Sequence, residues 1–176
     1  MKIVVLAGGL SPERNVSLSS GTMIAHALKR LGHRPALVDL YFGLEDPAAP
    51  LEACFDQPVP DRWKQVDPQA PDLEAVKAAR PGESPSRFGP GVLELSRQAD
   101  LVFLALHGAC GEDGRVQAAF DLMGIPYTGS GYVGSALAMD KDLTRRLVAP
   151  LGVKTPQWKR ADYTDKDIER LTSTTP

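Results

Sequence analysis

Residues 101–114, LVFLALHGACGEDG, join the most apolar run of the chain to a glycine-rich loop. The run at 101–106 contains β-branched and aromatic residues but neither glycine nor proline, which is typical of a buried parallel strand. Open α/β sheets bind their ligands beyond the carboxyl ends of their strands. We therefore predict that His107, the first residue after this strand, lies where such a fold holds its functional groups.

The glycine-rich loop leads into a predicted helix. Apolar residues recur at helical spacing from Val116 to Met123, and Gly124 follows them as a stop signal. We expect Glu112 and Asp113 to lie in the first turn of this helix, because acidic side chains there interact favourably with the helix dipole.

The first forty residues predict a strand–helix–strand unit. An apolar strand is expected at 2–7, and two glycines end it. A helix is expected to begin near Ser11, or one turn later at Ser17, because serine is a favourable N-cap, and to end at Gly32. A further strand is expected at 35–40. This order of elements predicts parallel strands.

These elements predict an open α/β fold, a parallel sheet with helices on both faces. We expect strand 101–106 at the centre of the sheet, with strands 2–7 and 35–40 on one side of it, because the central run is fully apolar. Glu13 and His107 both follow the ends of parallel strands, so we expect their side chains to approach the same crevice.

Residues 41–90 differ in character from the rest of the chain. They contain nine of the fifteen prolines, and their apolar residues lose periodicity. One short helix is expected at 72–80, and the remainder is expected to be irregular and mobile with little to bury. Such a segment is either a functional surface element or a tolerated surface insertion.

The C-terminal third contains several short predicted elements. Residues 129–134, GSGYVG, formally match a dinucleotide-binding fingerprint, but they lack a long preceding strand and a clear acidic residue at the expected distance. A tight turn that opens a helix is therefore the favoured interpretation. The other predicted elements are helices at 91–98, 135–139 and 143–151, short strands at 125–128 and 153–160, and a helix at 162–171.

Composition limits the class of protein. The 176 residues are 43% hydrophobic with a formal net charge of -2, which suits one domain of ordinary core size and part of a second. The near-neutral charge argues against a nucleic-acid partner. No apolar run approaches ~20 residues, so no membrane span is expected. The N-terminus does not resemble a signal peptide.

The two cysteines, Cys54 and Cys110, are too few for a disulfide framework, which favours a reducing, cytoplasmic compartment. Cys110 lies in the central loop and raises the hypothesis of a nucleophilic thiol. The glycines explain that loop without a nucleophile, and no histidine partner is identifiable at a fixed spacing.

Three stretches together resemble the D-alanine–D-alanine ligases of the ATP-grasp superfamily. Residues 107–118, HGACGEDGRVQA, are similar to the first signature of that family and are the most specific of the three. The other two are LAGGLSPERNVSL at 6–18 and PYTGSGYVGSALAMDK at 126–141. Because the three occur in the family's order and spacing, the resemblance implies a Rossmann-like pre-ATP-grasp domain at 1–134 and the first elements of an ATP-grasp domain at 135–176.

The resemblance also implies three site residues. Glu13 matches the glutamate that holds the ammonium group of the first D-alanine, and His107 matches the histidine beside the carboxylate of that substrate. Lys141 matches the lysine that reaches the ATP phosphates. Carboxylate, imidazole and ammonium groups suit these tasks. From the residues alone, a solvated Glu13, a packed His107 and a solvated Lys141 remain alternatives.

The implied reaction is the ATP-dependent ligation of two D-alanines for peptidoglycan precursors, with Mg²⁺ as cofactor and a homodimer formed through the N-terminal domain. Family enzymes are much longer, and their phosphate loop, magnesium ligands and closing tyrosine loop have no counterpart here. We therefore expect a fragment or truncated gene product, without metal ligands and inactive alone. Alternatives are a D-alanine–D-lactate ligase fragment, a non-catalytic α/β ligand-binding module, and a nucleotide-binding domain that uses residues 129–134.

Overall fold

The computed structural model describes residues 1–67, 69–82, 84–158, 160–162, 164 and 167. The chain divides into two units, Met1–Met139 and Asp140–Pro176. The expected boundary after residue 134, between a substrate-binding domain and the start of an ATP-grasp domain, stays a prediction. The helix at Tyr132–Met139 belongs to the first unit, and a side chain at Gly114 would overlap the Tyr132 carbonyl oxygen.

The first unit contains three parallel strands and five α-helices among its described residues. The strands are β1 (Lys2–Ala7), β2 (Arg34–Asp39) and β3 (Leu101–Leu104). The helices are α1 (Arg14–Arg30), α2 (Leu73–Ala78), α3 (Val92–Gln98), α4 (Arg115–Met123) and α5 (Tyr132–Met139). Short 3₁₀ helices lie at Leu51–Asp56 and Asp61–Trp63.

The order of the strands is β2-β1-β3, so β1 lies at the centre. Val4 lies opposite both Ala36 of β2 and Val102 of β3 in the register. The prediction that strand 101–106 is central was therefore wrong, although β1 and β2 do lie on one side of it. β1 is buried from its second residue onward, because it has a neighbour on each side, whereas β3 is half-buried at three of its four positions.

The predicted strand at 125–128 is only a single parallel bridge, between Tyr127 and Val102. The Val102 amide donates to the Pro126 carbonyl at 2.8 Å, and the Thr128 amide donates to the Val102 carbonyl at 3.0 Å. Residues 129–131 form the turn, and α5 begins at Tyr132. Because no long strand precedes this turn, the structure favours the simple turn over a dinucleotide fingerprint.

The core has a layer on each face of the sheet. Ile3, Val5 and Ala7 of β1 pack with Leu18 and Ala25 of α1. The alternate residues of β1, Val4 and Leu6, pack on the opposite face of the sheet. There they contact the same cluster as Val92 and Leu95 of α3 and Val116 and Phe120 of α4. This arrangement confirms the prediction of an open α/β sheet with helices on both faces.

Residues 41–90 are irregular, as predicted, and their described part contains no strand. Their helix, α2, is shorter than the predicted 72–80, and Asp72 caps it by accepting the Glu74 amide at 2.9 Å. The expectation that the segment buries little was wrong, because Phe55 is only 3% exposed in the core, and Phe88 packs against the same hydrophobic cluster. The predicted mobility stays a prediction.

The second unit contains helix α6 (Lys141–Val148), which Asp140 caps by accepting the Leu143 amide at 2.9 Å, and a 3₁₀ turn at Ala149–Leu151. The strand predicted at 153–160 is absent from its described residues, 153–158 and 160. No strand of this unit lies alongside these residues within the described part of the chain, and Pro156 has no amide to donate. The predicted helix at 162–171 lies outside the described residues, apart from 162, 164 and 167. No described helix is long and apolar enough to cross a bilayer.

Candidate functional site

Two loops meet at the carboxyl edge of the sheet. One follows β1 and contains residues 8–13, and the other follows β3 and begins at residue 105. The Ser17 hydroxyl joins them by accepting the Gly8 amide at 2.8 Å and donating to the Ala105 carbonyl at 2.6 Å. Since β1 and β3 are parallel neighbours, this edge is the position at which such folds bind ligands.

A second serine joins the loops at the predicted site residues themselves. The Ser11 hydroxyl donates to the His107 carbonyl at 2.8 Å and accepts the Glu13 amide at 3.3 Å. The Glu13 carboxylate lies against Gly108, since a Cβ there would stand 3.0 Å from its Oε2. The structure therefore confirms that Glu13 and His107 approach the same crevice.

The His107 imidazole lies near a second carboxylate. Its Nδ1 is 4.0 Å from Oε1 of Glu112, and the His107 side chain is 38% exposed. The other oxygen of Glu112 accepts the Gly108 amide at 2.9 Å. The Glu112 carboxylate therefore holds the loop through Gly108 and also faces the His107 ring. Because the His107 side chain is 38% exposed, the imidazole remains accessible from solvent.

Helix α4 begins later than predicted. Glu112 and Asp113 precede it, and its N-cap is Gly114 with φ of 83°. Asp113 accepts the Cys110 amide at 3.0 Å and the Arg115 amide at 3.2 Å. The prediction that the two acidic residues occupy the first turn was wrong, because their carboxylates instead pair with amides of the loop and of the first helical residue.

Cys110 belongs to the hydrophobic core. It is only 4% exposed and packs in the same cluster as Val116 and Phe120. A nucleophilic thiol must reach its substrate, and reactive cysteines lie in partly exposed, electropositive surroundings. Burial therefore contradicts the hypothesis of a Cys110 nucleophile.

A buried ion pair beside the same edge was not predicted from the sequence. Arg14 and Asp39 form a two-pronged pair, and the Arg14 guanidinium also donates to the Gly9 carbonyl at 2.8 Å. Asp39 further accepts the amides of Tyr41 at 2.8 Å and Phe42 at 3.1 Å. An aspartate inside the otherwise apolar predicted strand 35–40 was the signal that could have revealed Asp39.

A separate cavity of about 790 Å³ lies along the outer edge of β2. Its walls include β2 residues 35–39 and the segment 57–60, with Trp63 and the Arg14–Asp39 pair. Neither Glu13 nor His107 lines this cavity. It is therefore distinct from the crevice at the ends of β1 and β3.

Most of the chain matches one known protein family. The family model described as the D-ala D-ala ligase N-terminus matches residues 2–130. The chain belongs to this D-Ala–D-Ala ligase N-terminus family. The matched range contains both loops of the crevice and ends before Lys141.

Curated relatives of this ligase family cover most of the chain. The D-alanine–D-alanine ligase of Lacticaseibacillus casei is 41% identical over 159 residues, which are 90% of this chain and 44% of that protein. The ligase of Aquifex aeolicus is 35% identical over 159 residues, 90% of this chain and 39% of that protein. The chain thus spans less than half the length of these relatives.

Solved structures of the ligase family share the fold. The D-alanine–D-alanine ligase of Bacillus anthracis in complex with ATP has a TM-score of 0.58 and 24% identity, over 97% of this chain and 44% of that one. The ligase of Coxiella burnetii has a TM-score of 0.57 and 25% identity, over 98% of this chain and 49% of that one.

The third predicted site residue, Lys141, belongs to the second unit. It is the first residue of α6 and follows the N-cap Asp140. Within the part of the chain that the structure describes, no group of three or more His, Cys, Asp or Glu side chains could hold a metal ion.

Proposed function

We propose that this chain provides the D-alanine-binding part of an ATP-dependent D-alanine–D-alanine ligase. The observation that carries the proposal is the single crevice in which the Glu13 carboxylate lies against the loop of His107. Membership of the ligase N-terminus family supports the same conclusion. Because the chain spans less than half the length of these relatives, we assign the complete ligation reaction to a protein of their full length.

The crevice offers complementary groups for a zwitterionic amino acid. In the proposal, the Glu13 carboxylate accepts charge-assisted hydrogen bonds from the substrate ammonium. The His107 imidazole lies beside the substrate carboxylate and orients it, or relays a proton. Oε1 of Glu112 lies 4.0 Å from Nδ1 of the imidazole, on the loop that positions the ring.

In the complete protein, the carboxylate of the first D-alanine would attack the γ-phosphorus of ATP, which gives an acyl phosphate and ADP. The amine of a second D-alanine would then attack the acyl carbon, lose a proton and expel phosphate, which forms the peptide bond. We assign Lys141 to the ATP phosphates as a point charge. No step through magnesium is assigned to this chain.

We further propose a cytoplasmic role in the synthesis of peptidoglycan precursors, and a homodimer formed through the N-terminal domain. Both belong to the complete ligase in the proposal.

Titration calorimetry of the chain with D-alanine tests the proposal. We expect binding in the millimolar range or weaker, and weaker still for L-alanine. The Glu13→Gln variant should lower the affinity by about 10- to 100-fold, because it removes a charge-assisted hydrogen bond.

Glu94→Gln, at an exposed position on α3, is the matched control and should bind as the unmodified chain does. Equal affinity of the Glu13→Gln variant and the unmodified chain for D-alanine would contradict the proposal.

A further inference from the structure

We propose that Ser11 is a positioning residue that fixes the separation between Glu13 and His107. This inference rests on the proposed function, in which those two residues hold the two charged ends of one D-alanine. Ser11 itself would not touch the substrate, because it is only 1% exposed.

The hydrogen bonds of Ser11 link the two site residues directly. Its hydroxyl group donates a hydrogen bond to the His107 carbonyl at 2.8 Å and accepts one from the Glu13 amide at 3.3 Å. One buried hydroxyl thus contacts the main chain of both residues, which are far apart in sequence.

The Ser11 hydroxyl is the described partner of the Glu13 amide, whereas the Glu13 carbonyl accepts the Ser17 amide at 3.0 Å in the first turn of α1. Glu13 is the N-cap of α1, and its side chain makes no capping hydrogen bond. Pro12, between Ser11 and Glu13, restricts the chain and has no amide of its own. Ser17 ties the first turn of α1 to the Ala105 carbonyl, and the Ser11 hydroxyl adds a link from the Glu13 amide to the His107 carbonyl.

The neighbouring glycine shows how close this contact is. A Cβ at Gly108 would stand 3.2 Å from the Ser11 hydroxyl oxygen and 3.0 Å from the Glu13 carboxylate. The loops therefore meet with no room for a side chain between them. A substrate that must contact both residues at once depends on this fixed spacing, because misplaced groups lose binding energy steeply.

The test uses Ser11→Ala with Ser11→Thr as the conservative variant that keeps a hydroxyl. We expect Ser11→Ala to weaken D-alanine binding about tenfold, the size of one lost hydrogen bond, and Ser11→Thr to restore much of it. Ser96→Ala on α3 is the matched control, since Ser96 is a fully buried serine that donates to the Val92 carbonyl at 2.7 Å. It should reduce stability without changing the affinity.

A second readout does not depend on substrate. Hydrogen exchange at the Glu13 amide should become faster in Ser11→Ala and stay unchanged in Ser96→Ala. If Ser11→Ala fails to fold, Ser11→Cys replaces it, because a thiol keeps the shape and is a weak hydrogen-bond partner.

Unchanged affinity in Ser11→Ala, or an equal loss in Ser96→Ala, would overturn the positioning role. A chain that binds no D-alanine would overturn the proposed function instead. In that case faster Glu13 exchange in Ser11→Ala alone still supports the link, and unchanged exchange overturns it.

Discussion

Glycine at position 108 allows the Glu13 carboxylate to lie against the loop that carries His107. Its φ of 73° is unfavourable for any residue with a side chain, and a Cβ would come within 3.0 Å of the carboxylate. Two separate constraints, backbone conformation and space, therefore act on the same residue.

Comparing the stability of Gly108→Ala with that of Gly32→Ala separates the effect of the backbone conformation from the effect of limited space. Gly32 has φ of 81° and nothing within 4 Å of a Cβ, so its replacement costs only the left-handed conformation, about 1–2 kcal/mol of unfolding free energy. Gly108→Ala should cost more and should also weaken D-alanine binding. Equal losses of unfolding free energy in the two variants, measured with denaturant, would show that the close approach is unimportant.

The Arg14–Asp39 pair is the most buried charge contact described in the first unit, with side chains 9% and 4% exposed. Asp39→Ala would leave the Arg14 guanidinium buried without its carboxylate. We expect a loss of about 3–5 kcal/mol in unfolding free energy, measured by urea denaturation.

Asp56→Ala is the matched comparison, because it removes an exposed aspartate that pairs with Arg34 at 2.8 Å. Its loss should be much smaller, since exposed ion pairs are screened by water. A similar loss in both variants would mean that burial does not determine the strength of the Arg14–Asp39 pair.

At the scale of elements, hydrophobic periodicity predicted most of the helices and strands of the first unit. It could not predict the strand order, because an apolar run does not specify its neighbours, and β1 rather than β3 is central. It also missed Phe55, whose burial depends on how residues 41–90 return to the sheet.

Ion pairs of one carboxylate connect the first 3₁₀ helix to β1 and β2. Glu52 accepts from Lys2 at 2.8 Å and from Arg34 at 2.9 Å. The hydrogen bond from Lys2, followed by that from Arg34, lowers the pKa of Glu52 below its ordinary value of 4.5. A carboxyl group whose pKa is lowered by folding stabilises the folded state when the pH is above its ordinary pKa. This contribution is lost as the pH falls through the pKa of the folded state.

Glu52→Gln should therefore lower the urea midpoint at neutral pH, and the difference should shrink as pH falls below 4.5. Repeating the comparison in about 1 M salt should also reduce it, because exposed charges are screened. A difference in urea midpoint that stays constant from neutral to acidic pH would contradict stabilisation by these ion pairs.

At the scale of the whole molecule, the chain contains the crevice and Lys141 but less than half the length of its ligase relatives. We expect the chain alone, with ATP, magnesium and D-alanine, to release no phosphate, because phosphoryl transfer depends on several charge-stabilising groups together. Phosphate release that requires D-alanine and disappears in Lys141→Ala would contradict this expectation.

The sequence allowed Glu13 and His107 to be predicted as neighbours, because both follow parallel strands and the motifs resemble those of one family. Ser11 as a link, and the pairing of Arg14 with Asp39, could not be predicted, because local patterns do not show which distant groups meet. The start of α4 was misplaced because Asp113 pairs with loop amides instead of lying in the helix.

The most direct test of the central claim is a map of amide chemical shifts during titration of the labelled chain with D-alanine. The account predicts the largest changes at residues 8–13 and 107–113, with smaller changes for L-alanine. Changes confined to the cavity along β2, at residues 35–39 and 57–60, would contradict it, as would a folded chain with no changes at all.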